Sequence, residues 1–258
     1  MRASRDFAYA QARLQARHGE RLRDGDWRTL EAARSLRLHL ERARATALRR
    51  HCERLDAALS GHALEAVLRR EVERAVGEVA AWLPPRWRPA VLWLAFLPAL
   101  PLVDGALRGE PLPDWAEDEP TLAQLVGLEP SARAAVLANS PAAPLVPPLG
   151  GEAPSVADLW IAEWIRRLPG GVGANREIGD LIEAVRRAAA TEGATLAHRD
   201  QPARTAIERI LARAFRAGAG TALAAVAHLG LLFVDLERLR GGILRRALFD
   251  ETHGEEAA

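Results

Sequence analysis

Residues 62–82 read HALEAVLRREVERAVGEVAAW, and their spacing decides the fold class. Leu64, Leu68, Val72, Val76 and Val79 recur at intervals of three and four, with Val67 beside them. That period lines apolar side chains along one face of an α-helix, and such a face must be buried against a neighbour. Pro84 and Pro85 end the run, because proline has no backbone N–H to continue the helical ladder. The same texture extends toward the N-terminus. Phe7, Ala10, Leu14 and Leu22 predict a first helix, interrupted by a turn at Asp24-Gly25-Asp26. A second is expected from near Trp27, carrying Ala33, Leu36, Leu40, Ala43 and Ala47. Its stripe continues, one position out of step, through Leu48, Cys52, Leu55 and Leu59 to a stop at Ser60-Gly61.

Toward the C-terminus, Trp87 to Leu107 predicts two short buried helices bent at Pro98 and Pro101. Residues 109–154 hold nine of the chain's 16 prolines and the acidic run Glu117-Asp118-Glu119, so a long irregular connection is expected. Short helices are placed within it near Thr121–Val126 and Ser131–Ala138. Ser155 reads as an N-cap with Asp158 three residues on, opening a helix that Pro169-Gly170-Gly171 closes. Further helices are expected over 175–192, 202–217 and 221–249, followed by an exposed acidic tail at 251–258. No stretch alternates in the manner of a strand. The expectation is one all-α domain, a multi-helix bundle of residues 1–108 and 155–250 joined by the Pro-rich centre.

Composition narrows the function classes. A formal net charge of +1 gives no global reason to expect nucleic acid or an acidic membrane as partner. All 35 basic residues are arginine, so Schiff-base, P-loop and kinase-type lysine chemistry is impossible. The single cysteine, Cys52, allows neither an intrachain disulfide nor a cysteine-based zinc site, which fits a reducing cytoplasm. The polar N-terminus lacks the apolar core of a signal peptide. The apolar runs Ala90–Val103 and Ala222–Val234 fall short of the roughly 18–20 residues that cross a bilayer, and read as buried helices.

The candidate chemistry is thin. His39, His51 and His62 are not paired at metal-ligand spacings and read as surface or helix-face residues; no metal or cofactor is expected. His228, inside an apolar run, reads as a buried histidine donating to a backbone carbonyl or a neighbouring acid. His198-Arg199-Asp200 matches a kinase catalytic loop without its companion motifs. Gly170-Gly171-Val172-Gly173 resembles half of a phosphate loop but follows a helix instead of a strand, so it reads as a helix break. Asp114, Glu117, Asp118 and Glu119 read as solvated loop acids. Arg37, Arg42, Arg44, Arg49, Arg50, Arg69, Arg70 and Arg74 alternate with Glu31, Glu41, Glu53, Glu65, Glu71 and Glu73, as on a solvated face. Trp82, Trp87 and Trp93 are expected in the core.

Three segments carry a family resemblance. Phe7-Ala8-Tyr9-Ala10-Gln11-Ala12-Arg13 resembles the aromatic-x-aromatic-x-x-Ala-Arg opening of the C (d) subunit of rotary V/A-type ATPases. Asp104-Gly105-Ala106-Leu107-Arg108 is similar to that family's D-x-x-N-L-R segment, and Leu236-Glu237-Arg238-Leu239-Arg240 to its E-x-x-N-L-R ending. Ala106, and Leu239 or a neighbour of it, stand where the family has asparagine, and the Pro-rich centre has no clear counterpart. The resemblance implies a non-catalytic, funnel-shaped helical connector between the central stalk and the membrane rotor ring. It also implies structural or interface roles for Phe7, Tyr9, Arg13, Asp104, Arg108, Glu237 and Arg240. The partners would be ATPase stalk and rotor subunits, with membrane association only through them. Two other readings stay open: a free-standing helical adaptor, and a small-molecule carrier with an apolar pocket near His228 and the tryptophans.

Overall fold

The computed structural model describes residues 6–113, 116–117, 120–148, 154–190 and 200–255. The fold is all-α, with no strand among the described residues. In chain order α1 is Ala8–Gly19, α2 Asp24–Glu31, α3 Leu36–Arg44, α4 Arg49–Cys52 and α5 Gly61–Trp82. A 3₁₀ turn, Pro85–Trp87, leads into α6, Arg88–Trp93; a second 3₁₀ stretch, Leu94–Ala99, leads into α7, Leu100–Leu107. The central connection holds α8, Pro120–Ala123, α9, Pro130–Ala138, and a 3₁₀ turn at Ala143–Leu145. Then come α10, Val156–Arg167, α11, Gly171–Ala174, α12, Arg176–Ala190, α13, Asp200–Ala217, and α14, Ala222–Glu255.

Helix α14 is the axis of the molecule. It packs on α13, α5, α1, α3 and α12. Its first two turns, Ala222 to Leu229, are buried on every side. Alanines dominate that stretch because flanking helices approach too closely for larger side chains. At Gly230 the approach is closer still: a Cβ there would lie 2.7 Å from Leu211 Cδ2 on α13. At Gly242 it would lie 2.8 Å from the His39 ring on α3. Charge also ties α14 to the N-terminal helices. Arg21 donates to both carboxylate oxygens of Asp235 at 2.7 and 2.8 Å. Buried Arg246 donates to the carbonyls of Ala33, Glu31 and Gly242 at 2.6–2.9 Å, covering acceptors at the end of α2.

The N-terminal region differs from the expectation. Asp24 opens α2 instead of lying in a turn, because Asp26 accepts the Arg23 backbone N–H at 2.9 Å and acidic residues suit a helix start. The long second helix is three pieces. Ser35 caps α3 by accepting the Leu38 N–H, and Thr46 accepts the Leu48 N–H where the chain turns between α3 and α4. The one-residue slip of the apolar stripe at Ala47–Leu48 marks that turn. Ser155 caps α10 as expected, accepting the Asp158 N–H, whereas Ser60, read only as a stop, caps α5 by accepting the Ala63 N–H.

Residues 87–107 are less buried than expected. Pro85–Leu107 is the one stretch among the described residues long and apolar enough by length and composition to cross a membrane, although the core helix of a soluble protein passes the same test. Only 39% of its apolar window is buried, and Leu92 is 48% exposed. Within the 3₁₀ stretch Leu94 is buried, while Ala95 to Ala99 are only partly covered. Helix α14 is longer than expected and continues through Glu255. Residues 256–258 of the acidic tail, the side chains beyond Leu248, and His198-Arg199 lie outside the described residues, as do Asp114, Asp118 and Glu119.

Candidate functional site

A groove of about 760 Å³ opens between α5, the segment Leu97–Leu102 and α14. Each wall follows from its own helix. The α5 stripe supplies Leu68 and Val72, the proline-bent segment Leu97 and Leu102, and α14 Leu236 and Leu244. Leu248, 64% exposed, stands at one end. Charged side chains line the groove as well. Arg240 Nε donates to Glu65 Oε2 at 2.6 Å, bridging α14 to α5, and Arg69 donates to Glu65 Oε1 at 3.2 Å. Arg240 also donates to Glu237 at 3.3 Å. Burial pulls the Arg240 guanidinium down, but Glu65 and Glu237 together outweigh it and hold its pKa above the ordinary value. Glu65 is buried, contrary to the solvated face expected for it, because its two arginine partners replace water.

A smaller cleft lies between α1, α5 and α14. Its volume is about 60 Å³, below the roughly 300–1,000 Å³ of a drug-sized ligand site. Trp82 and His228 both line it, whereas Trp87 and Trp93 do not. His228 is 6% exposed and its Nδ1 has no hydrogen-bond partner among the described residues, so that nitrogen lacks the carbonyl or acid expected for it. Burial, reinforced by His18 and Arg21, lowers its pKa to about 4. His18 stacks on Phe215 at 4.1 Å. Burial pushes the Asp235 carboxyl above its ordinary value, against the pull of Arg21.

His39 and His51 are buried, not on the surface. His39 Nδ1 lies 3.1 Å from the Leu30 carbonyl oxygen, and His51 Nδ1 lies 3.6 Å from buried Glu71. Burial lowers both pKa values to about 4. It pushes the Cys52 thiol up to about 12, which keeps that sulfur protonated and unreactive. Trp87 and Trp93 are core residues and Trp82 is half-buried. Trp93 and Trp160 exchange indole N–H bonds to each other's carbonyls at 3.1 and 3.4 Å. Among the described residues, no three His, Cys, Asp or Glu side chains are grouped to hold a metal ion.

The residues carrying the family resemblance lie in three places. Phe7 is buried edge-on against Trp87 at 6.0 Å; Tyr9 is exposed, and its hydroxyl accepts from Arg13. Asp104 and Arg108 pair along α7, with Glu110 also accepting from Arg108. Glu237 and Arg240 stand on the groove rim. Only the third segment lines the groove; α7 reaches it through Pro101 and Leu102, not through Asp104 or Arg108. The chain matches no family model, no curated protein and no solved structure.

Proposed function

We propose that this chain is a non-catalytic helical assembly subunit that seats an apolar helix of a protein partner in the groove between α5, α7 and α14. The observation that carries the reading is the groove itself: about 760 Å³, apolar on three sides, and lined by the Glu65–Arg240–Glu237 ion pairs. Recognition of a helix in a groove uses apolar anchors at i, i+3, i+4 and i+7, and the walls here offer Leu, Val and Pro surfaces for them. The paired charges favour a protein over a bare lipid surface, since they present both signs to flanking polar residues of a bound helix. Arginine at the rim of an apolar patch is a frequent anchor of protein interfaces.

The resemblance to the V/A-type C (d) subunit suggests the partner class: stalk or rotor subunits of a rotary ATPase, met at the cytoplasmic face of a membrane complex. Of the residues that carry that resemblance, Leu236, Glu237 and Arg240 line the groove, while Asp104 and Arg108 do not. The test is co-purification of the tagged full-length chain from its native host, beside Leu102→Glu and Leu244→Glu. The reading expects stalk or rotor subunits with the unaltered chain and their loss with both variants at unchanged melting temperature. Recovery of an unrelated protein, lost with the same variants, would favour the free-standing adaptor. A bound small molecule in native mass spectra, displaced by those substitutions, would favour a carrier.

A further inference from the structure

The cleft between α1, α5 and α14 shares no lining residue with the groove. His228 on α14 lines it, almost fully buried, and among the described residues its Nδ1 has no hydrogen-bond partner. His18 on α1 likewise has an enclosed Nδ1 with no partner among them. Phe215 on α13 faces both rings, its centroid 4.1 Å from that of His18 and 6.2 Å from that of His228. Three helices therefore meet around two imidazoles.

The charges about these rings leave no place for a further proton. From α1 come Arg17 and Arg21, from α4 Arg50 and His51, from α5 Glu78, from α13 Glu208 and Arg216, and from α14 itself Asp235. Two of the three acids are taken. Asp235 accepts from Arg21 at 2.7 and 2.8 Å, and Glu78 from Arg17 at 2.9 Å. Glu208 has its pKa raised by burial, so it neutralises itself as pH falls. A proton on His228 is thus a buried positive charge facing His18, Arg21 and Arg17.

Helix α1 is the element able to yield. Only Ala10 and Leu14 of its 12 residues are buried, and it starts with no side-chain cap and no acid in its first turn. Three polar ties hold it: Arg17 to Glu78, the Arg21–Asp235 pair just past its end, and the Gly220 N–H donating to Gln11 at 2.8 Å. Segments with few buried apolar contacts open locally at a fraction of the global unfolding free energy. His18 is half-buried in the last turn of α1, where the helix dipole favours an imidazolium, so the strain comes from His228.

We propose that α1 is an acid-released latch: protonation of His228 undocks it from α13 and α14 while the other helices stay folded. Release uncovers Leu48, Val79, Trp82 and Leu232, the apolar lining of the cleft. Water then reaches both imidazoles, and this favours the proton in the open state.

The test is amide hydrogen exchange of the full chain at about pH 7.5 and about pH 5.5, with and without low urea, each rate corrected for its intrinsic value. His228, held at about 4 when covered and returning to 6.5 when uncovered, should raise the opening of α1 about tenfold at the lower pH. Urea should barely change that opening, because it exposes little surface, whereas exchange within α5 should climb with urea. His228→Phe should abolish the rise. Arg17→Gln, which cuts the tie to Glu78, should increase α1 opening at both pH values. The proposal is overturned if α1 opens no more at the lower pH, if its exchange follows urea as that of α5 does, if the rise survives in His228→Phe, or if Arg17→Gln leaves α1 as closed as before.

Discussion

Acidification should unfold this protein through its buried histidines. His39, His51 and His228 are each buried, and burial holds each pKa at about 4, against 6.5 for an exposed imidazole. Between those values the unfolded chain binds protons that the folded chain refuses. Stability contributed by the neutral imidazoles is therefore complete above about pH 6.5 and is lost progressively as pH falls toward 4. From about pH 7.5 to about pH 5, each histidine removes about 2 kcal/mol, so the three together remove about 6 kcal/mol. That is comparable with the whole stability of an ordinary domain, about 5–15 kcal/mol. Asp235 and Glu208 act in the opposite sense, because burial raises their carboxyl pKa values and the folded chain takes up protons there more readily. Urea unfolding at the two pH values, followed by far-ultraviolet circular dichroism, measures the net change. His228→Phe, which places an apolar ring beside Phe215, should remove about a third of the pH dependence expected from the histidines. A stability that stays level from about pH 7.5 to 5, or a pH dependence untouched by His228→Phe, would refute the argument.

Other substitutions test the packing. Leu40→Asp places a charge at a core site on α3 that is 1% exposed and should cost at least about 3 kcal/mol, read as a large fall in melting temperature. Gly230→Ala drives a methyl group to within 2.7 Å of Leu211 and should cost about 1–3 kcal/mol in urea unfolding. Asp235→Ala leaves the Arg21 guanidinium without its bidentate acceptor and should destabilise by about 3–5 kcal/mol; an unchanged melting temperature would show that this pair does not hold α14 in place.

The helices and their caps were legible because they are local. Ser155, the paired prolines at 84–85 and the α5 stripe each act within a few residues of themselves. The break at Thr46 was also present in the sequence, as the slip of the apolar stripe, but a slip alone does not distinguish a turn from a curved helix. What could not be read were the partners brought from a distance. Glu65 looks like any solvated acid until Arg240, 175 residues away, donates to it. His39 and His51 look exposed until α14 and α5 pack over them. The groove escaped the sequence for the same reason: it belongs to no single segment, and α5, Leu97–Leu102 and α14 each show only an ordinary apolar stripe.

The most direct test of the groove is a photoreactive side chain at position 244, introduced into the full-length chain and irradiated in living host cells. A covalent adduct to one polypeptide, with the label mapped to an apolar helical segment of that partner, is the expected result. Labelling that falls only on lipid, on a small molecule or on this chain itself would contradict the claim that the groove holds a partner's helix.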